Sequence, residues 1–230
     1  MLSVRPLGDS AAIVHWTGTA DEEICQSIRR VTAALNHVSV LNSAERLTSV
    51  VPAFQSITVH YCPSRMTFEE AAKIIEDAMH SAASHPVVAS CRIEIPVCFD
   101  ADFAPDLPEV AEVHGMSPED IIQRFCGAVY SVRMIGFSPG FPYLSGLPQD
   151  LATPRRSSPR LKVPQGSVAI GGSQAGIYSQ ETPGGWSIIG RTPLRLFRAE
   201  LSPPCLLKAG NEVRFIQIHK DQFHEDQDEQ

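Results

Sequence analysis

The sequence predicts an α+β protein of two domains, and three observations carry that prediction. Strand-period and helix-period stretches follow one another in the order ββαββα over the first 85 residues. Beyond residue 86, short β-prone runs recur between turn residues, the spacing of a sandwich or barrel. From Gly136 to Pro193 the chain concentrates ten of its 15 glycines and eight of its 18 prolines, so residue types that restrict or free φ set the backbone path there. The expected organisation is an amino-terminal α+β domain at 1–85, a β-rich domain at 86–219 and a disordered acidic tail at 220–230.

In the first domain, residues 2–7 and 11–16 read as a strand pair joined by the turn Gly8-Asp9-Ser10. Ile24, Ile28, Val31 and Leu35 fall at helical spacing behind the acidic residues Asp21, Glu22 and Glu23, which predicts a helix from Asp21 to about Asn36. Two β-rich runs follow, Val38 to Val51 and Ser56 to Tyr61, separated by Pro52. Thr67 and Glu70 form a capping box for a second helix with Phe68, Ala71, Ala72, Ile75 and Met79 on its apolar side. Ser81 to Pro86 is the expected linker.

The second domain opens with a strand at Arg92 to Phe99 and a helix near Leu107 to Val113 that stops at Gly115. Ser117-Pro118-Glu119-Asp120 places an N-cap, a proline at N1 and two acids at the start of another helix running to about Phe125. Val129 to Met134, Ser167 to Ile170, Trp186 to Ile189, Leu194 to Phe197 and Glu212 to Ile218 read as strands.

Composition excludes several classes of function. No apolar run is long enough to cross a bilayer, and MLSVRPLGDS lacks the basic and apolar regions of a signal peptide, so the expected location is the cytoplasm. The six cysteines form no C-x-x-C pair and read as reduced thiols, with no metal site expected. The formal charge of −7 conceals a polarity. Residues 1–123 carry 7 basic and 17 acidic side chains, whereas residues 124–198 carry 9 basic and 2 acidic, a net +7 that points to an anionic ligand or an acidic partner surface. Ordinary surface arginines are the alternative. The overall acidity and the lack of a basic, aromatic platform argue against nucleic acid.

Gly136-Phe137-Ser138-Pro139-Gly140 matches the G-x-S-x-G nucleophile elbow, yet the residue after the serine must offer a backbone N–H to an oxyanion, and Pro139 has none. No P-loop occurs. What remains is a proline-punctuated loop with Arg155, Arg156, Arg160 and Lys162, a further Arg191, and the pairs Gly171-Gly172 and Gly184-Gly185. Guanidinium groups match carboxylate and phosphate oxygens in bidentate fashion. The glycine pairs serve either β-turns or the close approach of backbone amides to an anion. Phe137, Phe141, Tyr143, Tyr178 and Trp186 either wall a pocket or pack a small barrel.

The motifs GFSPGFPYLSGLP, TPRRSSPRLKVPQGSVAIGGSQAGIY and TPGGWSIIGRTP, followed by SPPCLLKAGNEVRF, resemble the carboxy-terminal half of the 5-oxoprolinase B-subunit family (PxpB, KipI, allophanate hydrolase subunit 1). With GDSAAIVHW and VVPAFQSITVHY the resemblance covers about residues 3–218. It implies a cyclophilin-like β-barrel for the second domain. It also implies a component that works with the larger C subunit of 5-oxoprolinase, and with its A subunit, to open 5-oxo-L-proline to L-glutamate with hydrolysis of ATP. Other branches of the family imply a histidine kinase inhibitor, or an allophanate hydrolase or carboxyltransferase-type part of urea degradation. These motifs and the +7 central region together predict a barrel cleft that binds a small anionic group through Arg155, Arg160, Gly171, Gly172, Gln174 and Tyr178, with Thr182, Gly184, Gly185, Trp186 and Arg191, and no catalytic residue is assigned. The chain departs from the family pattern at Phe125, Gln165, Ala175 and Ser179, where relatives have His, Ala, Thr and Pro; an acid–base role at Phe125 is thereby removed.

Overall fold

The computed structural model describes residues 3–18, 22–41, 46–82 and 91–224, and the chain divides into two compact units, Met1–Ala89 and Ser90–Gln230. In the first, β1 (Val4–Pro6), β2 (Ala11–His15), β3 (Leu47–Pro52) and β4 (Ser56–Tyr61) form an antiparallel sheet in the order β1-β2-β4-β3. Helices α1 (Glu22–Leu41) and α2 (Phe68–Ser81) pack Ile28, Val31, Leu35, Ala71 and Ile75 into one core with Val14, Ile57 and Val59 of the sheet. The alternation of buried positions along β4 is what a sheet covered on one face requires.

Helix α1 continues five residues beyond Asn36, through the start of the run read as β-rich, and strand structure begins only at Leu47. Once a helix is nucleated each further residue adds a hydrogen bond, and β-branching subtracts only a few tenths of a kcal/mol, so local strand propensity loses. The capping box of α2 forms as expected. Glu70 N donates to Thr67 Oγ1 at 3.3 Å and Thr67 N donates to Glu70 Oε2 at 2.9 Å. Thr67→Ala is expected to cost about 1 kcal/mol, read as a lower urea midpoint followed by Trp16 fluorescence. The chain expected to act as a linker is helical at Ser81, and its part from residue 83 lies outside the described residues.

The second unit is built on a closed barrel. Its members are β5 (Arg92–Cys98), β6 (Tyr130–Ile135), β7 (Pro142–Ser145), β9 (Ser167–Gly171), β10 (Gln174–Ile177), β12 (Ser187–Arg191) and β13 (Glu212–Ile218). Around the barrel they follow the order β10-β7-β6-β13-β5-β12-β9. A separate ribbon pairs β8 (Arg160–Val163) with β11 (Thr182–Gly184). Every barrel strand sends residues into a single core, among them Ile95, Val132, Leu144, Ile170, Ala175, Ile189 and Phe215. The apolar sides of α3 (Leu107–His114) and α4 (Pro118–Gly127) join it through Val110, Ile121 and Phe125. Phe125 stacks on Phe215 at 4.7 Å, and its carbonyl accepts from the Tyr130 hydroxyl at 2.9 Å. Position 125 is therefore a core position, where an aromatic hydrocarbon is at home.

The strands β7, β8, β10 and β11 lie where the sequence showed only turn signals. Leu194 to Phe197 is not a strand; Phe197 makes one isolated bridge to Cys205. The expected disorder from residue 220 does not begin there. Lys220–Gln222 form a 3-10 turn and Phe223 stacks on Phe103 at 4.3 Å, while residues 225–230 lie outside the described residues.

Candidate functional site

Strand register shows which face of the barrel carries the predicted site. Across four neighbouring strands Tyr143 pairs with Gly176, Gly176 with Ala169, and Ala169 with Ile188. The alternate residues Leu144, Ala175, Ile170 and Ile189 belong to the interior. Because side chains alternate along a strand, the first row faces outward. Two small residues between Tyr143 and Ile188 leave a trough on the barrel wall, and aromatic rings fill it: a Cβ on Gly176 would stand 2.8 Å from Phe141 Cζ and 2.9 Å from Trp186 Cζ3. Phe141, Tyr178, Trp186, Ala169 and Ile188 form a second apolar cluster with Val163 of the ribbon, and Tyr143 packs against it. The site expected in a barrel cleft is thus a lined outer face, flanked by β8 and β11.

Two of the glycines there have a steric reason. A Cβ on Gly171 would lie 2.6 Å from Trp186 Cγ, and one on Gly184 2.6 Å from Tyr178 Cζ. The missing side chain at these two glycines admits a ring. Gly172 has φ +65° at the β9–β10 turn, with open space around it, and it exchanges two backbone hydrogen bonds with Thr153. Gln174 pairs with Gly171 and so faces the same outer side. Thr182 and Gly184 lie on β11, and the Gly185 carbonyl accepts from Arg156 N at 2.7 Å.

The arginines divide. Arg155 lies over the Trp186 ring, its guanidinium carbon 5.6 Å from the centroid, which is a cation–π contact. Arg160 does not point outward. It grips Asp106 with Nη1 on Oδ2 at 2.9 Å and Nη2 on Oδ1 at 2.5 Å, and Arg156 Nη1 donates to the same carboxylate at 3.0 Å. Ile188 N completes the set at 2.7 Å. Arg191 stands elsewhere, with Nε on the Gln165 carbonyl at 2.8 Å and its guanidinium over Phe223, lining a cavity of about 230 Å³ with Thr192 and Arg195. Asp106, the residue that organises two of the loop cations, was not singled out from the sequence. The available signal was an aspartate at a helix start, which ordinarily caps its own helix; here the side chain makes no cap bond.

The loop Gly136–Phe141 crosses the aromatic cluster. Ser138 N donates to Gly136 O at 2.7 Å, closing a tight turn that holds Phe137 at φ +65° and leaves its ring 62% exposed. The ring meets Phe141 and Tyr178 edge-on, at centroid distances of 5.4 and 6.4 Å. A non-glycine residue at positive φ stores strain of order 1 kcal/mol. Ser138 Oγ lies 3.2 Å from Ser179 Oγ, and Ser179 donates to the Pro139 carbonyl at 2.6 Å. The apparent elbow serine thus meets another hydroxyl, in a turn held together by Ser179. Burial pushes the Tyr178 phenol above its ordinary value, partly offset by a hydrogen bond with the Trp186 backbone and by Arg155, so it stays a neutral donor. Burial also raises the Cys126 thiol to about 11, which keeps it protonated.

Fold and geometry together define a barrel-bearing α+β chain whose outer barrel face carries an aromatic cluster with one guanidinium over it. The sequence matches the family described as "Carboxyltransferase domain, subdomain C and D" over residues 2–207. It is 38% identical over 231 residues to the B subunit of 5-oxoprolinase from Bacillus subtilis (strain 168), covering 96% of this chain and 95% of that protein. It is 52% identical to the B subunit of 5-oxoprolinase from Haemophilus influenzae over 125 residues, 54% of this chain and 59% of that protein. Among solved structures, TTHA0988 aligns with TM-score 0.77 at 30% identity, over 94% of this chain and 40% of that longer one. The Kluyveromyces lactis urea carboxylase aligns with TM-score 0.72 at 18% identity, over 96% of this chain and 22% of that one, a likeness of fold. The chain belongs to the 5-oxoprolinase B-subunit family.

Proposed function

We propose that this chain is a non-autonomous subunit of an ATP-dependent 5-oxoprolinase, acting with partner subunits of the C and A type to convert 5-oxo-L-proline to L-glutamate. The observation that carries the reading is the relation to the Bacillus subtilis B subunit, which extends over nearly the whole of both chains. The proposed chemistry suits a complex that uses ATP. A lactam is a stable amide; transfer of the ATP γ-phosphoryl group to its carbonyl oxygen releases ADP and makes the carbon electrophilic, water adds to that carbon, the C–N bond breaks with a proton going to the nitrogen, and hydrolysis of the acyl phosphate releases phosphate and glutamate.

In this reading the outer face of the barrel is one wall of a shared site. Arg155 engages the substrate carboxylate, the Tyr143, Tyr178 and Trp186 rings exclude water from one side, and the groups that activate ATP and water come from partner chains. Co-expression with the C-type and A-type subunits is expected to give ATP hydrolysis stimulated by 5-oxoproline; its absence from the assembled complex would remove the proposal. Arg155→Ala is expected to raise KM for 5-oxoproline about tenfold or more, the loss of one charge-assisted bidentate contact, while the melting temperature of the chain changes little. An unchanged KM would move the carboxylate away from this face.

A further inference from the structure

We infer that Asp106 sets the charge of the outer face, so that this face takes a single carboxylate and not a polyphosphate. The identity of the carboxylate rests on the proposed function; its charge does not.

Three guanidinium groups lie within six residues, Arg155, Arg156 and Arg160. A loop made for phosphates would present all three to the ligand. In this protein one buried carboxylate withdraws two of them. Asp106 is 2% exposed, and its two oxygens accept from Arg156 Nη1, from Arg160 Nη1 and Nη2, and from Ile188 N. Glu109 Oε2 adds a second acid to Arg156 Nη1 at 3.3 Å. Lys162, beside Arg160 on β8, is paired with Glu181 at 3.1 Å. Arg155 differs from all of these. The Trp186 indole lies against it at 5.6 Å, and among the described residues no carboxylate pairs with it.

The consequence is quantitative. An indole face supports a guanidinium while leaving its N–H edges for a ligand, which suits one carboxylate in bidentate contact. A polyphosphate carrying several charges would meet one cation free of a carboxylate, because Arg156, Arg160 and Lys162 are already paired with Asp106, Glu109 and Glu181. The apolar wall beside Arg155 favours a ligand whose body is a small ring without further charge. Asp106 acts through its arginines and is a specificity-determining residue that need not touch the ligand.

The test uses the full chain carrying Trp16→Phe, which leaves Trp186 as the single tryptophan and makes its fluorescence local to this face. Three ligands are titrated: 5-oxoproline, cyclopentanecarboxylate and tripolyphosphate. Both monocarboxylates are expected to perturb Trp186, and tripolyphosphate to bind at least tenfold more weakly. Asp106→Asn releases Arg156 and Arg160 and is expected to tighten tripolyphosphate about tenfold or more. Glu109→Gln, an exposed change that leaves the buried pairs in place, is expected to tighten it two- to threefold and serves if the Asp106 variant does not fold. A gain of affinity is a readout that a merely structural role for Asp106 would not produce. Tripolyphosphate binding to the parent chain as tightly as the carboxylates, or no gain in the folded variants, overturns the inference. So does a Trp186 that responds to neither carboxylate. If cyclopentanecarboxylate binds and 5-oxoproline does not, the contact of the 5-oxoproline carboxylate with Arg155 falls and the charge assignment stands.

Discussion

Asp106→Ala is expected to destabilise the carboxy-terminal unit by about 3–5 kcal/mol, the cost of breaking a buried ion pair by deleting one partner. The reason is in the geometry. Removing the carboxylate strands two guanidinium groups that are 31% and 26% exposed and leaves Ile188 N without its acceptor. It also removes the side-chain links from the start of α3 to β12 and to the Arg156–Arg160 loop, leaving the backbone bond from residue 106 N to the Ile188 carbonyl at 3.0 Å. The two tryptophans make the measurement clean, because Trp16 lies in the amino-terminal unit and Trp186 in the barrel unit. Urea unfolding followed at Trp186 in the Trp16→Phe chain should show the loss, and a midpoint within error of the parent would mean the cluster contributes nothing net. Arg160→Ala is expected to lose less than Asp106→Ala, since Arg156 remains on the carboxylate. It is therefore a test of stability and a poor test of anion binding, contrary to what its place in a basic loop suggests.

Gly171→Ala is expected to be the second large effect, at about 1–3 kcal/mol, the usual cost of overpacking a filled site. A Cβ there would sit 2.6 Å from Trp186 Cγ, and the indole has little room to retreat because Gly176 and Phe141 bound it on the other side. Displacing the indole also displaces the platform under Arg155, so carboxylate affinity should fall together with stability. The neighbouring Gly172→Ala separates two mechanisms. It meets no atom within 4 Å but sits at φ +65°, so its cost should be about 1 kcal/mol of backbone strain with the Trp186 signal unchanged. Equal losses at the two positions, measured by urea midpoints, would show that the indole does yield.

Much of this molecule was legible in the sequence because its local signals are strong. The Thr67–Glu70 box forms as written, with both reciprocal hydrogen bonds, and Ser117 caps its helix as expected, with Asp120 adding a return bond that the sequence reading did not name. The alternation in Ser56–Tyr61 marks a strand with one covered face. The family motifs identified the kinship that the Bacillus subtilis relative supports. The run Val38–Val51 misled because local composition favoured strand, whereas a helix already nucleated at Glu22 extended through its first residues. Strands β8 and β11 were hidden among prolines and glycines, since a two-stranded ribbon needs neither length nor alternation. The charge count of the central stretch was correct as arithmetic and misleading as a site. Arg156 and Arg160 are held by Asp106, 50 and 54 residues earlier in the chain, with Glu109 as a second acid on Arg156, and both acids lie outside the stretch counted.

The sequence by itself determined where helices start, which residues make turns, the kinship of the chain, and that its apparent serine elbow cannot supply an oxyanion donor. Only the tertiary structure decided which residues share the outer face of the barrel and which arginines are tied to a buried carboxylate. Strand β9 is buried at every position, so it carries no pattern that tells inside from outside. The register with β10, β7 and β12 makes that assignment. A guanidinium, likewise, has the same charge in any loop; whether it meets a ligand or a buried carboxylate depends on what the fold brings within hydrogen-bond reach, and for Arg160 that is Asp106.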